Sequence, residues 1–484
     1  MNRLVIRLTP LLAALVLAGC SSVPELKAPA LDTPAAFKEA STPQVASDGT
    51  RWQVAQPAEA QPRGRWWLAF NDPALTSLID EATAANASLQ VAAARVKQAR
   101  AIAGIAAADR MPQVGAGIGA QRSRASTLAA GLPDGADVPG ASAYQARLTA
   151  SYEVDLFGRV GASTSAAQAD AAASEATFNS VLLSLQADVA QTYYRLRATD
   201  AELATLRRAV ELRAQGVKIN QSRFDNGDIG EFDLARARTE LATAKAEAIG
   251  AERQRARSEH ALAVLLGKPA AAYSAQAKPL DGSVLPAIPA GLPSRLLERR
   301  PDISAAQRAM IAANARIGVA KSAMFPALTL TGGLGTETGS AANLFSWSAR
   351  SWVLGALLSM PIIDGGRNRA NVQRSEAQLE ESVASYRQNV LSAFAEVEDN
   401  LAGLRVLAGQ RSEIEAAVVA ARRSADLAQK LYDAGRSSYL ELLDAQRNLA
   451  AVERSAVQLR GDQAVTTVAL IRSLGGGWET QAAL

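Results

Sequence analysis

Few residues in this chain could do covalent or acid–base chemistry. Its 484 residues include one histidine, His260, and one cysteine, Cys20. A nucleophilic triad needs an imidazole held between an acid and a hydroxyl or thiol, and a zinc site needs several ligands at fixed spacing. His260 has no such neighbours. It follows the charged run Glu252 to Glu259 and reads as a surface residue on a helix. The stretch Gly115-Ala116-Gly117-Ile118-Gly119 has glycines like those of a nucleotide loop, but with the wrong spacing and only a strand around it. Paired carboxylates such as Glu396 and Glu398 sit in helical patterns and read as solvated faces. The expectation is a protein that is not an enzyme and holds no metal or cofactor.

The chemistry expected of Cys20 is attachment of lipid. Arg3 and Arg7 supply a basic end, Leu8 to Leu17 a short apolar stretch, and Ala18-Gly19 the small residues of a cleavage site. Leu17-Ala18-Gly19-Cys20 resembles a bacterial lipobox. That resemblance implies a signal peptide over residues 1–19, cleavage before Cys20 and lipid (palmitate included) on its thiol. Ser21 follows, where an aspartate would signal retention in the inner membrane. A lipid at one end holds a chain on a membrane surface without spanning it. A lone cysteine also rules out an internal disulfide framework.

Such an anchor directs attention to the elements behind it. The chain is 48% hydrophobic but only 5% aromatic, and alanine supplies much of the apolar content. That composition suits long helices packed closely along their lengths. The formal charge of +4 falls nearer zero once Arg3 and Arg7 are removed, so there is no electrostatic case for nucleic acid. Beyond the signal, no run of about 20 apolar residues could form a transmembrane helix.

Residues 20–63, rich in Pro, Ala, Ser and Thr, read as a lipidated tether. Proline is absent between Pro139 and Pro269 and after Pro361, so long helices can run there unbroken. Phe178, Leu182, Leu185, Val189, Tyr193 and Leu196 recur at three- and four-residue steps. Val383, Tyr386, Val390, Phe394, Val397 and Leu401 do the same, as in coiled coils. The spacing predicts helices over 158–266 and 366–474.

The chain is also an internal duplication, with a first repeat over 64–300 and a second over 301–484. Phe224-Asp225-Asn226-Gly227 matches Tyr432-Asp433-Ala434-Gly435 at an offset of 208 residues (227 to 435). Gly158-Arg159 and Leu266-Gly267 find Gly366-Arg367 and Leu474-Gly475 at the same offset. Upstream the offset is 214 (Pro112 to Pro326), and the length change falls between Pro112 and Gly158.

Between the paired prolines and glycines the period changes to two. Tyr144, Ala146, Leu148, Ala150, Tyr152 and Val154 alternate with polar residues, and Trp352, Leu354, Ala356, Leu358 and Met360 share one face. The expected strands are 112–122, 143–155, 326–336 and 350–360, joined by loops 122–142 and 337–349. Their length suits a tilted transmembrane strand. Four strands alone would expose unpaired edges to lipid, so other subunits must complete them; three copies would give twelve. A soluble four-stranded sheet with one wet face is the alternative.

With these features the chain resembles the TolC-type outer-membrane efflux channel family, in its NodT-like lipoprotein branch. The resemblance covers nearly the whole mature chain. It rests on Leu297-Glu298-Arg299-Arg300-Pro301-Asp302-Ile303, on Tyr432-Asp433-Ala434-Gly435 running into Tyr439 to Arg447, and on Leu474-Gly475-Gly476-Gly477-Trp478, together with the lipobox and the duplication.

The resemblance implies a mainly α fold with a transmembrane β-barrel contribution, a trimeric TolC-like α/β barrel in the outer membrane with helices extending into the periplasm. It implies a homotrimer, a periplasmic membrane-fusion adaptor and an inner-membrane efflux pump as partners, and no chemistry in the channel itself. Residues 64–75, 268–300 and 475–484 would form an equatorial belt. Phe224, Gly227, Tyr432 and Gly435 would stand at the adaptor-contacting tip. Asp444 matches the family aspartate of the closed constriction, and its repeat counterpart is Arg236, so the two are expected at the gate. Leu431 departs from the pattern, since related channels can carry an arginine there. The other reading, a structural coiled-coil lipoprotein tethering the outer membrane, explains Cys20 and the helices but not the four strands or the duplicated turns.

Overall fold

The computed structural model describes residues 23–26, 34, 37–39, 64–129, 131–133, 136–280, 285–286, 288 and 299–476. Cys20, the signal segment, most of the expected tether, Leu297-Glu298 and Gly477-Trp478 lie outside the described residues.

A 3-10 turn at Trp66–Phe70 leads into helices α1 (Pro73–Ala85) and α2 (Ala87–Ala108), strands β1 (Gln113–Ser123) and β2 (Ala141–Val154), and helices α3 (Arg159–Asp225) and α4 (Glu231–Leu265). The second set is α5 (Pro301–Ser322), β3 (Ala327–Thr338), β4 (Arg350–Ser359), α6 (Arg367–Asp433) and α7 (Tyr439–Ser473). Helix lengths of 22, 67 and 35 residues occur in both sets, so the sequence duplication is also a structural one. No described helix is long and apolar enough to cross a membrane.

Both 67-residue helices start behind a short acidic cap. Asp155 accepts the N–H groups of Val160 (2.9 Å) and Gly161 (2.7 Å), and Asp364 those of Gly366 (2.9 Å) and Asn368 (3.0 Å). Each carboxylate satisfies amides that have no partner inside the helix. Those N–H groups, Asn368 first, hold the Asp364 carboxyl below its ordinary range.

The chain forms two compact units. The first comprises Arg95–Glu175 and Ala305–Arg387 with the described residues 23–26. Its centre is an antiparallel sheet in the order β1-β2-β3-β4, the four strands expected from the period-two pattern. Register puts Val114, Ala150, Gly332 and Leu354 in one cross-strand row and Ala116, Leu148, Leu334 and Trp352 in the next. The row between them holds Gly115, Thr149, Gly333 and Val353, and the row beyond holds Gly117, Arg147, Gly335 and Ser351. Successive side chains point to opposite faces, so one face is apolar and the other mainly polar or glycine. The Arg147–Glu337 ion pair (3.3 Å) sits on the polar face. Near the chain start, Asn314 Nδ2 donates to the carbonyl of Pro24 (2.8 Å), and Val23 packs where Gly318 lacks a side chain. The first residues of the expected tether thus have a seat on α5.

The second unit comprises the described residues of Leu31–Ala94, Ala176–Ser304 and Gln388–Leu484. Its core gathers Trp66, Trp67, Phe70, Leu75 and Ile79 around Tyr193, Tyr194, Leu196, Leu262, Val468 and Ile471. The segment after α4 is clamped to the helices by polar groups. Asp200, with its side chain 1% exposed, accepts from Arg255 Nε (2.7 Å), Arg197 Nη1 (3.1 Å) and the amide of Lys278 (3.0 Å). Arg405, the repeat counterpart of Arg197, holds Glu39 instead (2.8 Å), and Glu398 accepts the amides of Lys38 and Glu39 (2.7 and 2.9 Å). Equivalent arginines therefore fasten two different chain segments. The described parts of 64–75 and 268–300 pack on this unit, whereas 477–484 lie outside the described residues.

Candidate functional site

The two helical hairpins, α3–α4 and α6–α7, reverse through turns with the same hydrogen bonds. In the first, Gly227 N donates to Phe224 O (2.9 Å) and Asp228 N to Arg223 O (2.8 Å). In the second, Gly435 N donates to Tyr432 O (2.9 Å) and Arg436 N to Leu431 O (2.8 Å). This is a Schellman motif, which needs a left-handed residue after the helix; Gly227 has φ 78° and Gly435 φ 67°. A Cβ added at either would meet nothing within 4 Å, so both backbones are open to an approaching partner.

Exposed apolar side chains flank these turns in the sequence. Phe224 is 38% exposed, Phe232 75%, Leu431 43% and Leu440 40%. Tyr432 is half-buried: Arg223 donates to its hydroxyl (3.3 Å) and its ring lies 6.0 Å from that of Tyr439. Tyr439 fills the space beside Gly216, and burial, then the nearby Tyr432 and Glu240, pushes its phenol up. The second turn is also capped where the first is not. Ser438 accepts from Glu441 N (3.3 Å) while the Glu441 carboxylate accepts from Ser438 N (3.1 Å), whereas Gly230 offers α4 no side chain.

Asp444 lies in the second turn of α7 with its side chain 62% exposed. It stands 3.7 Å from Arg447 on its own helix, and no ion pair joins it to Arg236 among the described residues. Arg447 also reaches the carboxylate of Glu240 on α4, Nε to Oε2 at 2.9 Å, with a second contact from Nη2 to Oε1. The expected gate residues are thus placed on neighbouring hairpins, and the acid–base contact between those hairpins runs through Glu240 and Arg447.

Two features escaped the sequence reading. Phe232 and Leu440 are repeat counterparts at the 208-residue offset, and both are exposed beside the turns. Glu240 interrupts the buried series Leu234, Ala237, Ala244 and Ala248, and an acid at an apolar position was the signal that it has a partner. Among the described residues no group of three or more His, Cys, Asp or Glu could hold a metal ion.

Duplicated helical hairpins and a four-stranded sheet with an exposed apolar face are the elements of an outer-membrane efflux channel. The profile of the outer membrane efflux protein family matches residues 78–268 and 292–476, and the chain belongs to that family. It is 34% identical over 473 residues to the solvent efflux pump outer membrane protein SrpC of Pseudomonas putida, covering 97% of this chain and 98% of that one. It is 31% identical over 474 residues to the cation efflux system protein CusC of Escherichia coli O6:H1, covering 98% and 99%. The crystal structure of the CmeC outer membrane channel of Campylobacter jejuni superposes with a TM-score of 0.85 at 25% identity, over 96% of each chain.

Proposed function

We propose that this chain is the outer-membrane duct of a tripartite export system. Three copies pair β1 of one protomer with β4 of the next, closing a twelve-stranded barrel through the membrane. The hairpins extend into the periplasm, and their turns meet a membrane-fusion adaptor that links the duct to an inner-membrane pump. Lipid on Cys20 anchors each copy to the outer membrane. The duct is passive: it binds no cofactor and performs no reaction, and the pump supplies the energy.

The observation that carries this reading is the sheet. The outer edges of β1 and β4 have no partner strand among the described residues, and Ile118, Leu148, Leu334 and Leu354 stand exposed on one face. An apolar face suits lipid, but open edges do not, so closure by further copies meets both demands. Drugs and other small molecules are the expected cargo. Relatives named for solvent and for cation export are similarly close to this chain, so likeness does not choose among cargoes.

The test is single-channel conductance of the purified, lipidated protein in a planar bilayer, with Asp444→Ala alongside. Small, infrequent openings that become larger or steadier in the variant support the duct and its acidic gate. Unchanged conductance in the variant keeps the duct and discards the gate. A folded, membrane-extracted protein that never conducts returns the structural lipoprotein.

A further inference from the structure

Arg208 and Arg213 on α3 and Arg422 on α6 line a cleft of about 350 Å³, whose apolar lining includes Leu212 of α3 and Leu449 of α7. The one acid in the lining, Glu453, does not balance them. It meets Arg422 at 2.8 Å and stands 4.0 Å from Arg208. Arg213 has no acidic partner among the described residues. Three guanidinium groups and one carboxylate leave the cleft with an excess of two positive charges beside apolar side chains.

The duplication supplies an internal comparison. At the 208-residue offset, Arg208, Arg213 and Arg422 correspond to Ala416, Ala421 and Ala214. The helices repeat, but the three arginines do not, so their convergence is not a by-product of the repeated pattern. Solvated arginines usually lay their stems over nearby apolar surface. Here the space beside Leu212 and Leu449 stays open, at a size that suits a small organic ligand.

We propose that this cleft binds a small organic anion with an apolar body, such as an aromatic sulfonate or carboxylate. The apolar part lies on Leu212 and Leu449, and the anionic group takes the forked donors of Arg213 and the Nη1 side of Arg422, whose Nε and Nη2 are held by Glu453 at 2.8 Å. Glu453 keeps Arg422 turned toward the cleft. The site is independent of the gate at Asp444 and of the identity of the exported cargo.

Isothermal titration calorimetry on the full detergent-solubilised chain tests this, with naphthalene-2-sulfonate as probe and naphthalene-2-methanol as its uncharged counterpart. The sulfonate is expected to bind one site per chain, at least about tenfold more tightly than the alcohol. Arg213→Ala, which breaks no ion pair, should weaken the sulfonate about tenfold. Arg253→Ala, on an exposed face of α4, should leave it unchanged. The proposal is overturned by equal affinity for sulfonate and alcohol, by unaltered binding to Arg213→Ala, or by no sulfonate binding at millimolar concentration. Binding of an acidic helical peptide without the sulfonate also overturns it and makes the cleft a protein-docking surface.

Discussion

Arg447 on α7 holds the carboxylate of Glu240 on α4, its Nε 2.9 Å from Oε2, while Asp444 one turn earlier stands 3.7 Å from Arg447 Nη1. The Glu240 side chain is 8% exposed and that of Asp444 62%, so the buried acid makes the closer contacts and Asp444 is left facing solvent. Arg447 thereby joins the two hairpins just behind the proposed gate. Replacing it with alanine strands a buried carboxylate. With Arg447 itself 45% exposed, the expected cost is about 1–3 kcal/mol, below that of a fully buried pair. Arg447→Ala should lower the thermal midpoint and lengthen channel openings in a bilayer. Glu240→Gln, which leaves no stranded charge, should lengthen openings with a smaller loss of stability. Unchanged openings in both variants would remove this pair from the closing network.

The turn glycines separate backbone strain from partner contact. Gly227→Ala and Gly435→Ala place a Cβ at positive φ, which costs roughly 1–2 kcal/mol each although the space is open. Asparagine tolerates that region better, so Gly227→Asn should unfold close to wild type. If an adaptor backbone meets the turn, Gly227→Asn will still impair export in a strain lacking its own channel. Normal export with Gly227→Asn would place the contact elsewhere, with Phe232 and Leu440 the next residues to replace.

How much of this was legible beforehand depended on whether a signal repeated. Pro-free spans, apolar steps of three and four, and the 208-residue offset were enough to place the long helices, because a helix tens of residues long needs nothing but its own pattern. The strands were legible because Tyr144 to Val154 alternate cleanly, although no alternation tells which neighbour a strand takes. Side-chain partners across helices were not legible. Asp444 and Arg236 share a repeat position, yet the ion pair forms between Asp444 and Arg447, because contacts follow packing rather than sequence offset. The seat of Val23 and Pro24 on α5 was hidden for a related reason: Pro-, Ala- and Ser-rich sequence reads as tether, and only folding brings Asn314 and Gly318 beneath it.

Arg300 should govern behaviour in acid. Its guanidinium, with the side chain 10% exposed, bonds Asp302 (2.7 Å), Glu396 (2.6 Å) and the carbonyl of Ser473 (3.1 Å). Burial alone would raise the Asp302 carboxyl, but Arg300 outweighs it and holds the group below its ordinary 3.8. A depressed carboxyl stabilises the fold above its unfolded value, and that stability is lost as pH falls through the folded value. Thermal midpoints should therefore hold from pH 7 to about 5 and drop below about 4. Asp302→Asn should start lower at pH 7 and lose less on acidification. Arg300→Ala should be more damaging than Asp302→Asn, at about 1–3 kcal/mol, since it takes the shared donor from two acids whose own side chains are 36% and 46% exposed. Parallel acid curves for wild type and Asp302→Asn would exclude Asp302 as the titrating group.

The two faces of the sheet give the sharpest test of membrane insertion. Leu148 and Leu334 are cross-strand partners on the apolar face, and Thr149 and Gly333 are partners one residue on, facing the other way. In a barrel with lipid outside, an arginine on the apolar face near mid-membrane costs about 2–4 kcal/mol, whereas one on the inner face meets water. Leu334→Arg should therefore reduce the trimer recovered from outer membranes. Thr149→Arg should leave assembly intact and lower conductance, since it narrows the lumen and adds charge to it. A soluble sheet with one wet face also makes Leu334→Arg damaging, but it predicts a protein recovered without detergent and no conductance for Thr149→Arg to lower. Trimer yield and conductance of these two single substitutions decide which face meets lipid.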